Sequence, residues 1–560
     1  MVSRGYMIGA LMSLRPQPAG PIPEETIRVA HAAFPCGNIY MKMRDEFVLL
    51  YEDEDFLHLF PKVGQPAECP WRLALVTVMQ FIEGLSDRQA AAAVRGRIDW
   101  KYLLALDLTD SGFDFSVLSE FRGRLIEGKA ERLLLDRMLE KFKEQKLLKV
   151  RGSQRTDSTH ILAAVRTLNR LESVGETMRA ALNSLATVAP DWLAPHASSE
   201  WFDRYSRRVE EFRLPKGIEA RTSYAEVIGS DGLRLLQLID DEVAPAWLKE
   251  VEAVKTLRLM WEHQYEIRDG EARWRKAADL PKSGIRFDSP YDPEAHFGNK
   301  RTTTWTGYKV HLTETCDADM PHLITNVETT SAVVPDVAMT EAIQESLAGR
   351  NILPNKHIVD AGYVDGALIV SSKINQGVTI IGPVRGNTSW QAKQADGFDI
   401  SLFKIDWRAK KVTCPNGKVT RKWAPTKDSW QNDIINVRFA KTDCLDCPLR
   451  HQCTRAKEGP RELTLRPQAE HETLQDIRNK QNTEEWKSQY DVRAGIEGTL
   501  SQGIRALGLR KCRYLGLAKT QLQHVFTAAG INVLRLGDWM AGVSPATTRR
   551  SRFAMLSPTN

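Results

Sequence analysis

The chain has 560 residues, 42% hydrophobic and 26% charged, which is too long for one ordinary domain and apolar enough for several cores. That composition excludes a disordered or fibrous chain. No apolar run approaches the ~20 residues of a bilayer span, and residues 1–20 lack the apolar region and cleavage site of a signal peptide, so a cytoplasmic protein is expected. A net charge of +6 says little until it is located. Arg493, Arg505, Arg510, Lys511, Arg513 and Lys519 stand against Glu497 alone within one short segment. Such a concentration suits an anionic partner, or else a solvated basic helix face.

In chain order, residues 1–40 read as an N-terminal segment and 41–146 as a helical unit. Pro70 opens a helix that Gly84 ends, and Ser86 caps the next, with Gln89 at capping-box spacing. A further helix starts at Asp114 or Ser116 and another runs from Glu131 to Lys146. Arg88, Arg95, Arg97, Lys101, Arg122 and Arg124 on these helices fit a helix-turn-helix-like DNA reader, or equally a bundle with solvated cations. Leu147–Val150 is the first strand candidate, leading into Gln154–Thr159. Residues 161–285 read as a helical insert carrying Trp192, Trp201, Trp247 and Trp261.

From Thr302 the period changes to that of strands. Tyr308–Thr313 and His322–Val327 alternate around a turn with Asp317, Asp319 and Pro321. A helix (Asp336–Ala348), a strand (His357–Val359), a helix (Gly366–Gln376) and a strand (Val378–Val384) follow. The fold class is therefore α/β, with a five-stranded mixed sheet over 147–385 divided by the helical insert. Residues 386–470 form a cysteine-rich insert, 471–540 a helical C-terminal part of the same domain, and 541–560 a basic tail.

Three acidic residues stand out by position. Asp157 follows the first strand candidate in a turn of small residues, Asp360 closes an apolar strand, and Glu497 lies in Tyr490-x-x-Arg493-x-x-x-Glu497. Strand ends are where open α/β sheets place function. Offsets of three and four put Tyr490, Arg493 and Glu497 on one helix face, with Arg505 on it too. Three converging carboxylates repel unless cations lie between them, and all-oxygen ligands select Mg²⁺ or Mn²⁺. Two such ions about 4 Å apart perform in-line phosphoryl displacement. Arg493 would neutralise phosphate, Tyr490 would contact DNA, and Arg510, Lys511 and Arg513 would bind further along it. A helix-surface Arg–Glu pair is the plain alternative for Arg493 and Glu497.

These motifs resemble those of DDE transposases of bacterial insertion sequences. The resemblance rests on Thr156-Asp157-Ser158-Thr159, Ile358-Val359-Asp360-Ala361-Gly362-Tyr363 and the Tyr490–Glu497 motif. Leu85–Arg88, Asp292–Ala295, Gly307–Val310, Ile496–Thr499 and Gly516–Thr520 extend it over roughly residues 40 to 540, toward insertion-sequence family number 1182. It implies an RNase H-like catalytic core preceded by an all-α DNA-binding domain. It also implies binding of terminal inverted repeats and strand transfer into target DNA, hence a nucleoid-associated protein acting as a dimer or higher assembly on double-stranded DNA, with no membrane. Related transposases carry a lysine seven residues beyond the glutamate, where this chain has Ile504 followed by Arg505.

Cys414, Cys444, Cys447 and Cys453 form a second constellation, with the Cys-x-x-Cys spacing of structural Zn²⁺ sites; His451 is a rival fourth ligand. Reduced cysteines in a loop-rich insert are the alternative. Two rival functions remain beside transposition: a nuclease of the same fold that cuts without joining, and a non-catalytic DNA-binding descendant.

Overall fold

The computed structural model describes residues 13–543 except 47–49, 167, 283 and 301; most of the N-terminal twenty residues and nearly all of the basic tail therefore lie outside the described residues. Seven helices come first: α1 (Glu24–Ala33), α2 (Ile39–Glu46), α3 (Pro70–Glu83), α4 (Asp87–Gly96), α5 (Ile98–Leu103), α6 (Ser116–Glu127) and α7 (Leu133–Glu144). Gly84, in the left-handed region at φ 69°, closes α3, and Ser86 with Gln89 makes the expected capping box on α4. α3 is buried almost all round, from Pro70 to Phe81, because it is sandwiched rather than laid on a surface.

β1 (Ser153–Leu162) opens the sheet. This corrects the sequence reading: Leu147–Val150 is a turn, and Asp157 lies within a strand, not after one. Then come α8 (Arg170–Val188), α9 (Pro190–Leu193), α10 (Ser199–Tyr205), α11 (Ile218–Asp240) and α12 (Glu252–Gln264). These helices enclose a core of their own, with Val174, Met178, Leu235, Leu257 and Trp261. The insert does not stay helical to its end: β2 (Tyr265–Arg268) and β3 (Glu271–Trp274) form a hairpin. Its turn, Asp269-Gly270, has both residues at positive φ, the chemistry of a two-residue hairpin loop.

The sheet continues with β4 (His296–Lys300), β5 (Thr303–Thr315), β6 (Ile324–Ser331), α13 (Met339–Gly349), β7 (Lys356–Val359), α14 (Gly366–Gln376) and β8 (Thr379–Ile381). Six strands, not five, make it, in the order β4-β5-β1-β7-β8, with β6 also on β5. The long β5 takes β4 against its first residues and β6 against the rest of the same edge. β1 runs antiparallel to β5 and parallel to β7, so it is central and carries side chains that are largely covered on both faces.

The cysteine-rich insert comprises α15 (Trp390–Lys393), β9 (Lys404–Asp406), β10 (Lys411–Thr413), β11 (Lys422–Lys427), β12 (Asp433–Arg438), α16 (Lys441–Leu445), α17 (Arg450–Cys453) and β13 (Glu462–Leu465). Phe403, Val412, Val437, Phe439, Leu463 and Leu465 are its small core. The chain ends in α18 (Gln468–Lys480), α19 (Glu484–Asp491), α20 (Ala494–Ala506) and α21 (Leu517–Met540).

α21 ties the molecule together. Phe526 packs on Phe81 of α3 with ring centres 5.3 Å apart, and the Asn532 side-chain amide satisfies both backbone groups of Ile324 on β6. One continuous core therefore runs from the first helices to the sheet. Among the described residues no helix is long and apolar enough to cross a membrane.

Candidate active site

Strand register brings the first two acids together. Thr156 pairs with Val359 across parallel β1 and β7, so Asp157 and Asp360 are the next residues of adjacent strands, whose spacing is about 4.8 Å. Asp360 ends β7 and caps the turn after it, Oδ1 accepting from Gly362 N at 2.8 Å. Asp157 Oδ1 accepts from Ser158 N at 2.7 Å. Burial pushes the Asp157 carboxyl above its usual range, and the Asp360 charge adds to this, against the pull of Ser158 N–H, Arg493 and Lys300.

Glu497 reaches the pair through Arg493. Arg493 Nη1 donates to Asp157 Oδ2 at 3.0 Å and Nη2 to Glu497 Oε1 at 2.6 Å. Asp157 and Arg493 are mostly covered, whereas the Glu497 side chain is 61% exposed. The expected single helix through this motif is broken: Tyr490 is on α19, Glu497 on α20, and Val492 and Arg493 make the joint. Arg155 Nη1 takes the Val492 carbonyl at 2.5 Å, an acceptor that a continuous helix would keep for itself. Tyr490 still adjoins Arg493, whose guanidinium lies 5.9 Å from its ring, and stacks on Trp486 at 5.0 Å.

The other basic residues part company. Arg510 reaches the site's strand, its Nη2 donating to Thr159 Oγ1 at 3.0 Å. Arg505, Lys511 and Lys519 are exposed, with no ion pair among the described residues. Arg513 turns away: Nη1 donates to Leu85 O, and the guanidinium lies 4.6 Å from the Phe81 ring. Three of the N-terminal cations are engaged inside the fold, while Arg88 and Arg95 are exposed. Lys101 is 2% exposed and donates to the carbonyls of Asp107 and Asp110, Arg97 bridges Glu83 and Asp99, and Arg122 pairs with Asp87.

Sequence reasoning missed Lys300, His311, Arg155 and Glu314. Exposed Lys300 lies near enough to Asp157 to favour its ionised form. His311, opposite Ser158 on β5, bonds the Tyr363 hydroxyl at 2.6 Å through Nδ1, and burial lowers its pKa to about 4. Tyr363 is thereby buried, holding the turn after Asp360 onto β5 rather than facing a ligand. Only spatial register could have identified these residues; no local pattern marks them.

Cys414, Cys444, Cys447 and Cys453 all line one cavity of about 30 Å³, while His451 is exposed and does not line it. N–H groups point at three of the sulfurs: Lys418 N at Cys414 (3.3 Å), Arg461 N at Cys444 (3.4 Å) and Asn416 Nδ2 at Cys447 (3.6 Å). Among the described residues, no group of three or more His, Cys, Asp or Glu is drawn to coordination spacing. Arg493 occupies the space between two of the carboxylates instead.

Residues 413–537 match the family model described as Transposase DDE domain, which spans the four cysteines and Glu497 but neither Asp157 nor Asp360; such a domain implies an RNase H-like fold. Residues 31–124 match the model described as Transposase domain (DUF772), within the N-terminal helices. No curated protein matches the chain.

Proposed function

We propose that this chain is a transposase of the DDE type that cuts DNA at the terminal inverted repeats of a mobile element and joins the freed ends to target DNA, a reading supported by its matches to a transposase DDE domain and a further transposase domain. The carrying observation is that Asp157 has Asp360 beside it on the neighbouring strand and Glu497 joined to it through Arg493. A position that accepts a guanidinium between two carboxylates accepts other cations, and the oxygen-only donor set fits Mg²⁺ or Mn²⁺. Two such ions, when bound, would supply a nucleophile activated at neutral pH and charge stabilisation for the leaving oxygen. Asp157 and Asp360 would hold them from the sheet, and exposed Glu497 from the side that DNA approaches. Arg493 has donors left over for a phosphate. Tyr490, stacked on Trp486, offers an aromatic surface beside it. The motifs shared with insertion-sequence family number 1182 support that branch, and two element ends suit a dimer on double-stranded DNA.

Asp157→Asn, Asp360→Asn and Glu497→Gln are each expected to lower DNA cleavage at least ~10³-fold, with DNA affinity kept or raised because negative charge is removed from the phosphate path. A variant with near-normal cleavage leaves the triad. Joining of pre-cut ends by the wild type separates a transposase from a nuclease that only cuts.

The cysteine set is proposed to hold one Zn²⁺ that braces the insert. Four sulfurs around one small cavity, three of them receiving N–H donors, suit thiolate ligands, with Cys453 rather than His451 as the fourth. Metal analysis of the purified protein should give about one zinc per chain, and Cys444→Ser should lower the unfolding temperature. A folded preparation without zinc ends this proposal.

A further inference from the structure

Glu314 on β5 is fully buried, and its carboxylate is held from two sides. Arg155 Nε and Nη2 both reach Oε1, at 2.7 and 2.6 Å, while Arg535 Nη1 (2.6 Å) and Thr499 Oγ1 (2.5 Å) reach Oε2. Arg535 Nη2 also donates to Thr499 Oγ1 at 2.6 Å, so α20, α21, β1 and β5 meet at one carboxylate. A buried ion pair is poor evidence for stability, because desolvation offsets most of the attraction; fixing register is its better-attested use.

The register fixed here is that of the site. Arg155 lies two residues before Asp157 on β1, so both side chains leave the same face of the strand. Arg155 also grips the Val492 carbonyl, one residue before Arg493. Thr499 lies two residues after Glu497. Gly495, midway between Arg493 and Glu497, lies so close to the Arg155 guanidinium that any Cβ there would collide with it. The glycine therefore serves the close approach of the arginine, at a helix position where glycine costs about 1 kcal/mol against alanine.

We infer that Arg155, Glu314, Thr499 and Gly495 are positioning residues that set the Glu497 helix against the Asp157 strand and so build the metal-binding geometry. This rests on the metal-dependent reading above. The Arg155, Glu314 and Thr499 side chains are buried, so their effect passes through the placement of Glu497 and Arg493.

The test uses the full-length protein with Mn²⁺ alone as probe, its free-ion electron paramagnetic resonance signal reporting binding, and cleavage followed across a metal series. Arg155→Lys, Thr499→Val and Gly495→Ala should each raise half-saturating Mn²⁺ at least tenfold. High metal should restore part of the cleavage, and DNA affinity should stay at the wild-type value. Thr499→Val keeps the side-chain volume, so it carries the test should Arg155→Lys fail to fold. Folded variants that bind Mn²⁺ as the wild type does overturn the inference while leaving the catalytic reading standing. A wild-type protein that takes up no Mn²⁺ overturns both.

Discussion

Two regions of this molecule are rich in arginine and lysine, and they use them oppositely. In and around helices α3 to α6 Lys101 and Arg122 are buried and Arg97 is paired, while Arg88 and Arg95 remain exposed. Arg88 lies over Phe115, Arg95 bonds the Ser111 carbonyl, Arg124 lies over Phe60, and Arg97, Lys101 and Arg122 are paired or buried. In the segment from Tyr490 to Lys519, Arg505, Lys511 and Lys519 face water with no carboxylate partner among the described residues, and Arg493 sits between two acids. Similar numbers of cations are therefore unequal toward a polyanion: the first set stands among as many acids, which pair Arg97 and Arg122, while the second stands beside Glu497 alone from Arg493 to Lys519. Arg513 marks the border, starting in the second region and bonding into the first.

The largest effect that separates the regions should come from Arg493→Ala. It removes the group joining Asp157 to Glu497 and, on the proposed reading, a donor to the scissile phosphate, so cleavage at saturating protein should fall ~10²-fold or more. DNA affinity should change far less, since one phosphate contact is a small part of the total. A loss of affinity without a loss of rate would place Arg493 with the surface cations instead. Arg122→Ala should act the other way. Asp87 would be left partly covered without its partner, at a cost of about 2 kcal/mol, visible as a lower unfolding temperature. The salt dependence of DNA binding should not move. A flattened slope in that variant would support the N-terminal helices as a DNA reader.

The same contrast shows what the sequence could and could not reveal. Helices with apolar stripes and caps were legible, and the Ser86 capping box and the α14 limits at Gly366 and Gln376 agree with the sequence reading. β1 was not. Its residues, Ser153 to Leu162, are mostly polar because a central strand bearing the site satisfies its side chains by bonds, not by apolar burial. Gln154 bonds Ile352 O and Thr325, and Thr156 bonds Thr313 and His357. An apolar search therefore stopped at Leu147–Val150. The strand end at Asp360 was legible, but Asp157 was expected in a turn and lies inside β1. The helix break at Val492, whose carbonyl Arg155 holds from more than three hundred residues earlier, was not legible. Of the two glycines flanking Glu497, Gly495 is accounted for by that same arginine; Gly498 faces open space, and nothing in the fold explains it.

The smallest expected effect concerns the exposed cations. Arg510 O and Cys512 N bond Leu162, so the loop after α20 joins β1 at its far end. Lys511 thus stands beside Leu162, five residues along the strand from Asp157. At about 3.4 Å per residue that is roughly 17 Å, or about five phosphate spacings along one DNA strand. A duplex laid over Asp157 would still be within reach of Lys511 at that distance, and Arg505 on α20 borders the same approach. Among the described residues neither side chain has a partner to lose, so Arg505→Ala and Lys511→Ala should leave the unfolding temperature unchanged. Each should reduce the log–log salt slope of DNA binding by about one unit, and the double variant by about two. Cleavage at saturating protein should stay near normal. Affinity measured across a salt series decides the matter: an unchanged slope in the double variant would make this segment a solvated basic surface.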